Sequence, residues 1–98
     1  MRKVSELAGD AIVERNEGLL TAEVDGELMA MSIEQGNCYG LNAVGTRIWA
    51  LLAEPRSIDD LCAQLLREYE VDAAQCRDEV IGLLEELRAE GLATIRAD

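Results

Sequence analysis

Leu19-Leu20-Thr21-Ala22-Glu23-Val24-Asp25-Gly26-Glu27-Leu28-Met29-Ala30-Met31-Ser32-Ile33 decides the first half of the fold. Two alternating runs flank Asp25-Gly26, a pair suited to the positive φ angles of a type I′ turn. A two-residue loop sets the register. Val24 should face Glu27, Ala22 should face Met29, and Leu20 should face Met31. One face then carries Leu20, Ala22, Val24, Met29, Met31 and Ile33; the other carries Leu19, Thr21, Glu23, Leu28, Ala30 and Ser32. The first set is the more apolar and is expected to face the core. A shorter strand, about Ala11–Arg15, is expected on the other side of the hairpin. That would leave Glu27–Ile33 as a free edge. Gly36-Asn37 reads as a turn and Gly40 as a further break.

After Leu41 the apolar period changes from two to 3.6. Asn42 is the expected cap of a helix reaching about Glu54, with Val44, Ile48, Leu51 and Leu52 on its stripe. Gly45 within it signals a close backbone approach, because Gly costs roughly 1 kcal/mol against Ala in a helix. Pro55 ends that helix. Ser57 caps a second helix bearing Ile58, Leu61, Cys62, Leu65, Leu66 and Tyr69. Asp72 caps a third bearing Cys76, Val80, Leu83, Leu84 and Leu87, and Gly91 stops it. Leu92–Arg96 could add an extended tail. The expected fold class is α+β: a small three-stranded antiparallel sheet followed by three helices, winged helix-turn-helix-like. The expected organisation is a loose arm over residues 1–10 and a single domain over 11–98.

The 98 residues carry 20 acidic and 9 basic side chains, a net charge of −11. Nucleic-acid and anionic-membrane binding both rest on clustered Lys and Arg, so neither partner is expected. A winged-helix DNA-binding regulator is further disfavoured by Asp78, Glu79, Glu85, Glu86 and Glu90 on the third helix. There is no His. That removes the commonest general base and metal ligand. Cys38, Cys62 and Cys76 lack zinc-site spacing, and no phosphate-binding Gly motif is present. The chain is therefore read as a non-enzyme without cofactor or metal. Unpaired thiols and the lack of a signal peptide suggest a cytoplasmic setting.

Two surfaces suit a peptide. The Glu27–Ile33 edge (Glu27, Leu28, Met29, Ala30, Met31, Ser32, Ile33) has no Pro or Lys and could pair with an incoming strand. Met31→Pro would then abolish such pairing. On the third helix, Arg77, Ile81, Leu84 and Arg88, with Val80 beside them, form a mixed flank.

Tyr39-Gly40-Leu41-Asn42-Ala43-Val44-Gly45-Thr46-Arg47-Ile48-Trp49 resembles the Leu-Asn-x-x-(Gly/Ala)-x-x-Ile-(Trp/Leu) signature of the PqqD-like family. These are the recognition elements of ribosomally made, modified peptide pathways. The form here is most similar to the lasso-peptide branch. The resemblance continues through Ser57-Ile58-Asp59-Asp60-Leu61-Cys62, Tyr69-Glu70-Val71-Asp72, Leu84–Leu87 and Glu90-Gly91-Leu92. It implies a domain that binds the leader region of a precursor peptide as an added strand, between the third strand and the third helix. Carried onto this sequence, that strand is Glu27–Ile33 and that helix about Ala73–Glu90. The implied partner is a separate leader peptidase. Alternatively, a PqqD-type chaperone would serve another modifying enzyme, such as a radical enzyme. A monomer or weak dimer is expected.

Overall fold

The computed structural model describes residues 9–96. Its elements are β1 (Ile12–Arg15), β2 (Leu19–Val24), β3 (Glu27–Ser32), β4 (Cys38–Leu41), α1 (Ala43–Leu51), β5 (Arg56–Ser57), α2 (Ile58–Glu68), α3 (Ala73–Ala89) and β6 (Ala93–Arg96). The α+β class is as expected, but the strands form two antiparallel three-stranded sheets, ordered β5-β1-β6 and β2-β3-β4.

The hairpin has the register its turn demands: Val24 faces Glu27, Ala22 faces Met29 and Leu20 faces Met31. Asp25 at φ 54 and Gly26 at φ 81 supply the two left-handed residues.

Three expectations are corrected. First, β1 does not join the hairpin. It pairs with β6 (Val13 opposite Ile95) and with β5 (Val13 opposite Arg56). Gly91 is the cause. At φ 76 it lets Leu92 N–H reach the Leu87 carbonyl and its own N–H reach Arg88, the paired bonds of a Schellman turn. The chain reverses, and Leu92–Arg96 returns along β1. Asn16 fastens this return: its backbone N–H donates to the Leu92 carbonyl and its Nδ2 to the Gly91 carbonyl.

Second, Glu27–Ile33 is not a free edge. β3 is the central strand, covered by β2 on one side and β4 on the other. Gly40, read from sequence as a break, lies inside extended β4. A Cβ at Gly40 would stand 3.2 Å from Met29 Sδ, so glycine here admits the overlying Met29 side chain.

Third, the core face of the hairpin is the opposite one. Ala30 (0% exposed) and Ser32 (5%) are buried, with Leu19 and Leu28 packed against the core, whereas Leu20, Val24 and Ile33 are more than half exposed. Small side chains on this face let β3 lie close against α1. Thr46 of α1 completes the join: its Oγ1 accepts from Leu28 N–H at 3.0 Å and donates to the Leu41 carbonyl at 3.2 Å.

The core gathers Val13, Ile48, Leu52, Ile58, Leu61, Val80, Leu84, Leu87 and Leu92 between the helices and the two sheets. All three helix caps follow the sequence. Asn42 Oδ1 accepts from Gly45 N–H, Ser57 Oγ from Asp60 N–H, and Asp72 from Ala74 and Gln75 N–H. Because Asp72 satisfies two otherwise unpaired donors of α3, Asp72→Ala should cost about 1 kcal/mol, read as a lower denaturant midpoint with an unchanged slope.

α1 stops at Leu51, short of the expected Glu54. Two arginines occupy its terminal carbonyls: Arg15 bonds that of Trp49 and stacks 4.8 Å above the Trp49 ring, and Arg56 bonds that of Leu51. Cys62 and Cys76 are buried helix residues, as their positions on the apolar stripes predict; Cys38 is exposed.

Candidate functional site

The hairpin dictates which backbone groups remain for a partner. A two-residue turn makes Val24 and Glu27 a hydrogen-bonded pair. Along β3, therefore, Glu27, Met29 and Met31 aim their N–H and C=O groups at β2, and Leu28, Ala30 and Ser32 aim theirs at β4. The β4 partners of Leu28 and Ala30 are Leu41 and Tyr39. Those two face inward, which turns the backbone of Cys38 and Gly40 outward, away from β3.

Beside this outer edge runs a groove of about 550 Å³. β4 forms one wall with Tyr39, Gly40 and Leu41, and α3 the other with Glu79, Val80, Leu83 and Glu86. The floor is Gly45 and Ile48 of α1 and Leu65 of α2. Val44 and Val71 expose apolar surface into it, at 39% and 44%. The Asn42 cap and Gly45 serve this geometry: a Cβ on Gly45 would sit 3.2 Å from Leu41 Cδ2, a tight contact that glycine relieves where α1 nears the end of β4. An apolar trough along a strand edge that is unpaired among the described residues is suited to an extended peptide.

The charged residues lining the groove are Glu79 and Glu86. Tyr39 Oη donates to Glu86, linking the two walls. Desolvation, then the Glu86 hydrogen bond and charge, push the Tyr39 phenol up to about 12, so it remains a neutral donor throughout the physiological range. Arg47 of α1 grips Glu68 of α2 through two bonds of 2.9 and 2.6 Å, and that contact draws the Glu68 carboxyl down to about 2.

The residues expected from sequence divide between locations. Of the third-helix set, Val80 lines the groove. Leu84 is fully buried in the core, and Ile81 packs against the core from a half-buried position. Arg77 holds Asp59 at 3.2 Å at the start of α2, and Arg88 is exposed in the last turn. On β3, Ala30 and Ser32 face the core, Leu28 is half-buried against it, and Glu27, Met29, Met31 and Ile33 lie on the outer face. Sequence reasoning missed Tyr39, Gly40, Val44 and Leu83 as groove residues. The signal was present in part: Tyr39-Gly40-Leu41 leads directly into the signature motif. Among the described residues, no cluster of His, Cys, Asp or Glu could hold a metal ion. No helix among them is long and apolar enough to cross a membrane.

Three capped helices, two small sheets and a groove between an edge strand and the last helix define a peptide-recognition class of α+β domain. The chain belongs to the PqqD family: the family model for coenzyme PQQ synthesis protein D matches residues 27–93. Among solved structures it is similar to TbiB1 in complex with the TbiA(beta) leader peptide, with TM-score 0.78, 28% identity, and coverage of 87% of this chain and 99% of that one. It is also similar in fold to a lasso peptide synthetase B1 complexed with its leader peptide, with TM-score 0.73, 22% identity, and coverage of 84% and 96%. No curated protein matches the chain by sequence.

Proposed function

We propose that this chain is a non-catalytic adaptor that captures the leader region of a ribosomally made precursor peptide and presents it to a separate processing enzyme, a leader peptidase in lasso-peptide biosynthesis. The leader lies in the groove as a fourth strand on β4, antiparallel or parallel to Cys38–Leu41. The observation that carries this reading is the outward-turned backbone of Gly40 beside the apolar trough of α3. It is supported by the likeness to TbiB1, whose structure is a complex with a leader peptide. Main-chain bonds supply affinity, and pockets for alternate side chains supply selectivity. With Glu79 and Glu86 as its charged walls, the groove favours a leader stretch that brings apolar anchors and hydrogen-bond donors. Holding the leader there raises the local concentration of the scissile bond at the enzyme. The family match to a PQQ synthesis protein favours one alternative, the same groove serving a different modifying enzyme.

A titration of a labelled chain with the leader encoded beside it tests the reading. Saturable shifts of the Gly40, Val44 and Leu83 amide signals are expected. Shifts confined to the β5-β1-β6 sheet, or none, would sink it.

A further inference from the structure

Tyr39 of β4 and Glu86 of α3 belong to opposite walls of the groove, and the Tyr39 hydroxyl donates to Glu86 Oε1. They lie 47 residues apart in sequence, so only the folded groove brings them together. The bond leaves Glu86 partly satisfied. A carboxylate has about four acceptor sites; the phenol fills one and brings no charge. The helix supplies no cation within reach. Three and four residues either side of Glu86 stand Gly82, Leu83, Ala89 and Glu90. Glu90 adds like charge close to the same phenol. Among the described residues lining the groove none is Lys or Arg. Glu79, the other charged wall residue, differs: Gln75 Nε2, one turn earlier on its own helix, donates to it at 3.1 Å.

We infer that the Tyr39–Glu86 bond is a latch across the empty groove, opened by the entering leader, and that a Lys or Arg of the leader then takes over Glu86. The inference rests on the leader-binding reading and names the side chain such a leader must carry. A strand laid along the outward edge of Cys38–Leu41 takes the space between the walls, which this bond spans. Glu86 is exposed and Tyr39 half-buried, so the carboxylate is the end that lets go. Exchanging a neutral phenol for a cation puts a charge-assisted bond, roughly twice as strong, in place of a neutral one. The Tyr39 ring stays in the wall as a surface for the cation or its alkyl stem. Selection follows, because opening the latch costs every peptide the same and only a leader with its cation in register recovers the loss.

The test uses the full-length chain and a synthetic peptide of the leader encoded beside it, with binding read by fluorescence anisotropy. Tyr39→Phe removes the latch and keeps the ring, so the peptide should bind about three- to tenfold more tightly. A contact that merely held the groove in shape would give the opposite sign. Glu86→Gln keeps an acceptor for Tyr39 but lacks the charge, so binding should weaken at least about fivefold and depend less on salt. Asp78→Asn, an equal change of charge on α3 outside the groove lining, should leave affinity within about twofold. A peptide with Gln in place of each Lys and Arg should bind wild type weakly and no longer distinguish Glu86→Gln from it. The latch is overturned if Tyr39→Phe binds no more tightly than wild type, or if Asp78→Asn loses as much as Glu86→Gln. It is overturned equally if Glu86→Gln and the cation-free peptide lose affinity additively, and this cycle decides alone should Tyr39→Phe fail to fold. A folded wild type that binds no leader overturns the leader-binding reading itself, whereas a leader that binds without these signs overturns only the latch.

Discussion

Gly40→Pro is expected to weaken leader binding by at least about tenfold while moving the thermal midpoint by only a few degrees. The proline removes one outward N–H and sets its ring where the added strand must approach. Losing a main-chain bond and leaving its partner unpaired costs about 1–3 kcal/mol, and 1.4 kcal/mol is tenfold in affinity. Proline is tolerated on an edge strand whose N–H points away from the sheet. The overlying Met29 thioether, 3.2 Å from the new Cβ, has a flexible end that can yield. Gly40→Ala is the control: it brings the same crowding but keeps the donor, so binding should survive within a few-fold. Met31→Pro should behave differently. The Met31 N–H faces Leu20 across the β2–β3 ladder, so that change breaks the hairpin and appears as lost stability. Unaltered leader affinity in a folded Gly40→Pro variant would refute strand addition on β4.

Leu84→Ala should carry the largest stability cost, about 2–5 kcal/mol, because the removed methyl groups leave a cavity in a core with no slack. Leu84 is 0% exposed, on the inner side of α3. In a domain of this size the thermal midpoint should fall by roughly 10 °C or more. Leu83→Ala makes the contrast. Its side chain is half-buried and lines the groove, so leader affinity should drop with a smaller loss of stability. Equal stability losses in the two variants would mean that the inner and groove sides of α3 are wrongly assigned.

Much of this was legible locally. The Asp25-Gly26 turn and its register, the three capped helices, the Gly91 stop and the close approach at Gly45 depend on short stretches whose conformational preferences need no distant partner. The lack of His and the acidic balance needed no fold at all. An open strand edge beside the third helix was also expected, but the strand named for it, β3, is central in its sheet, and the edge is β4.

The assignment of strands to sheets belonged to the tertiary structure. Leu20, Val24, Met29 and Ile33 are more apolar than Leu28, Ala30 and Ser32, and hydrophobicity alone sends them inward. Packing reversed that choice, because the smaller residues of the other face admit α1 and the Thr46 bridge. β1 found β6 only because the Gly91 turn and the Asn16 bonds join chain ends some eighty residues apart, a pairing without a local signature. Once β1 was engaged there, the open place beside β3 fell to Cys38–Leu41. The sequence by itself determined the β2–β3 hairpin, the three helices and their caps, since these follow from neighbouring residues. Tertiary structure decided which strand edge stays open and which sheet face meets solvent, since both depend on competition between distant segments for the same partners.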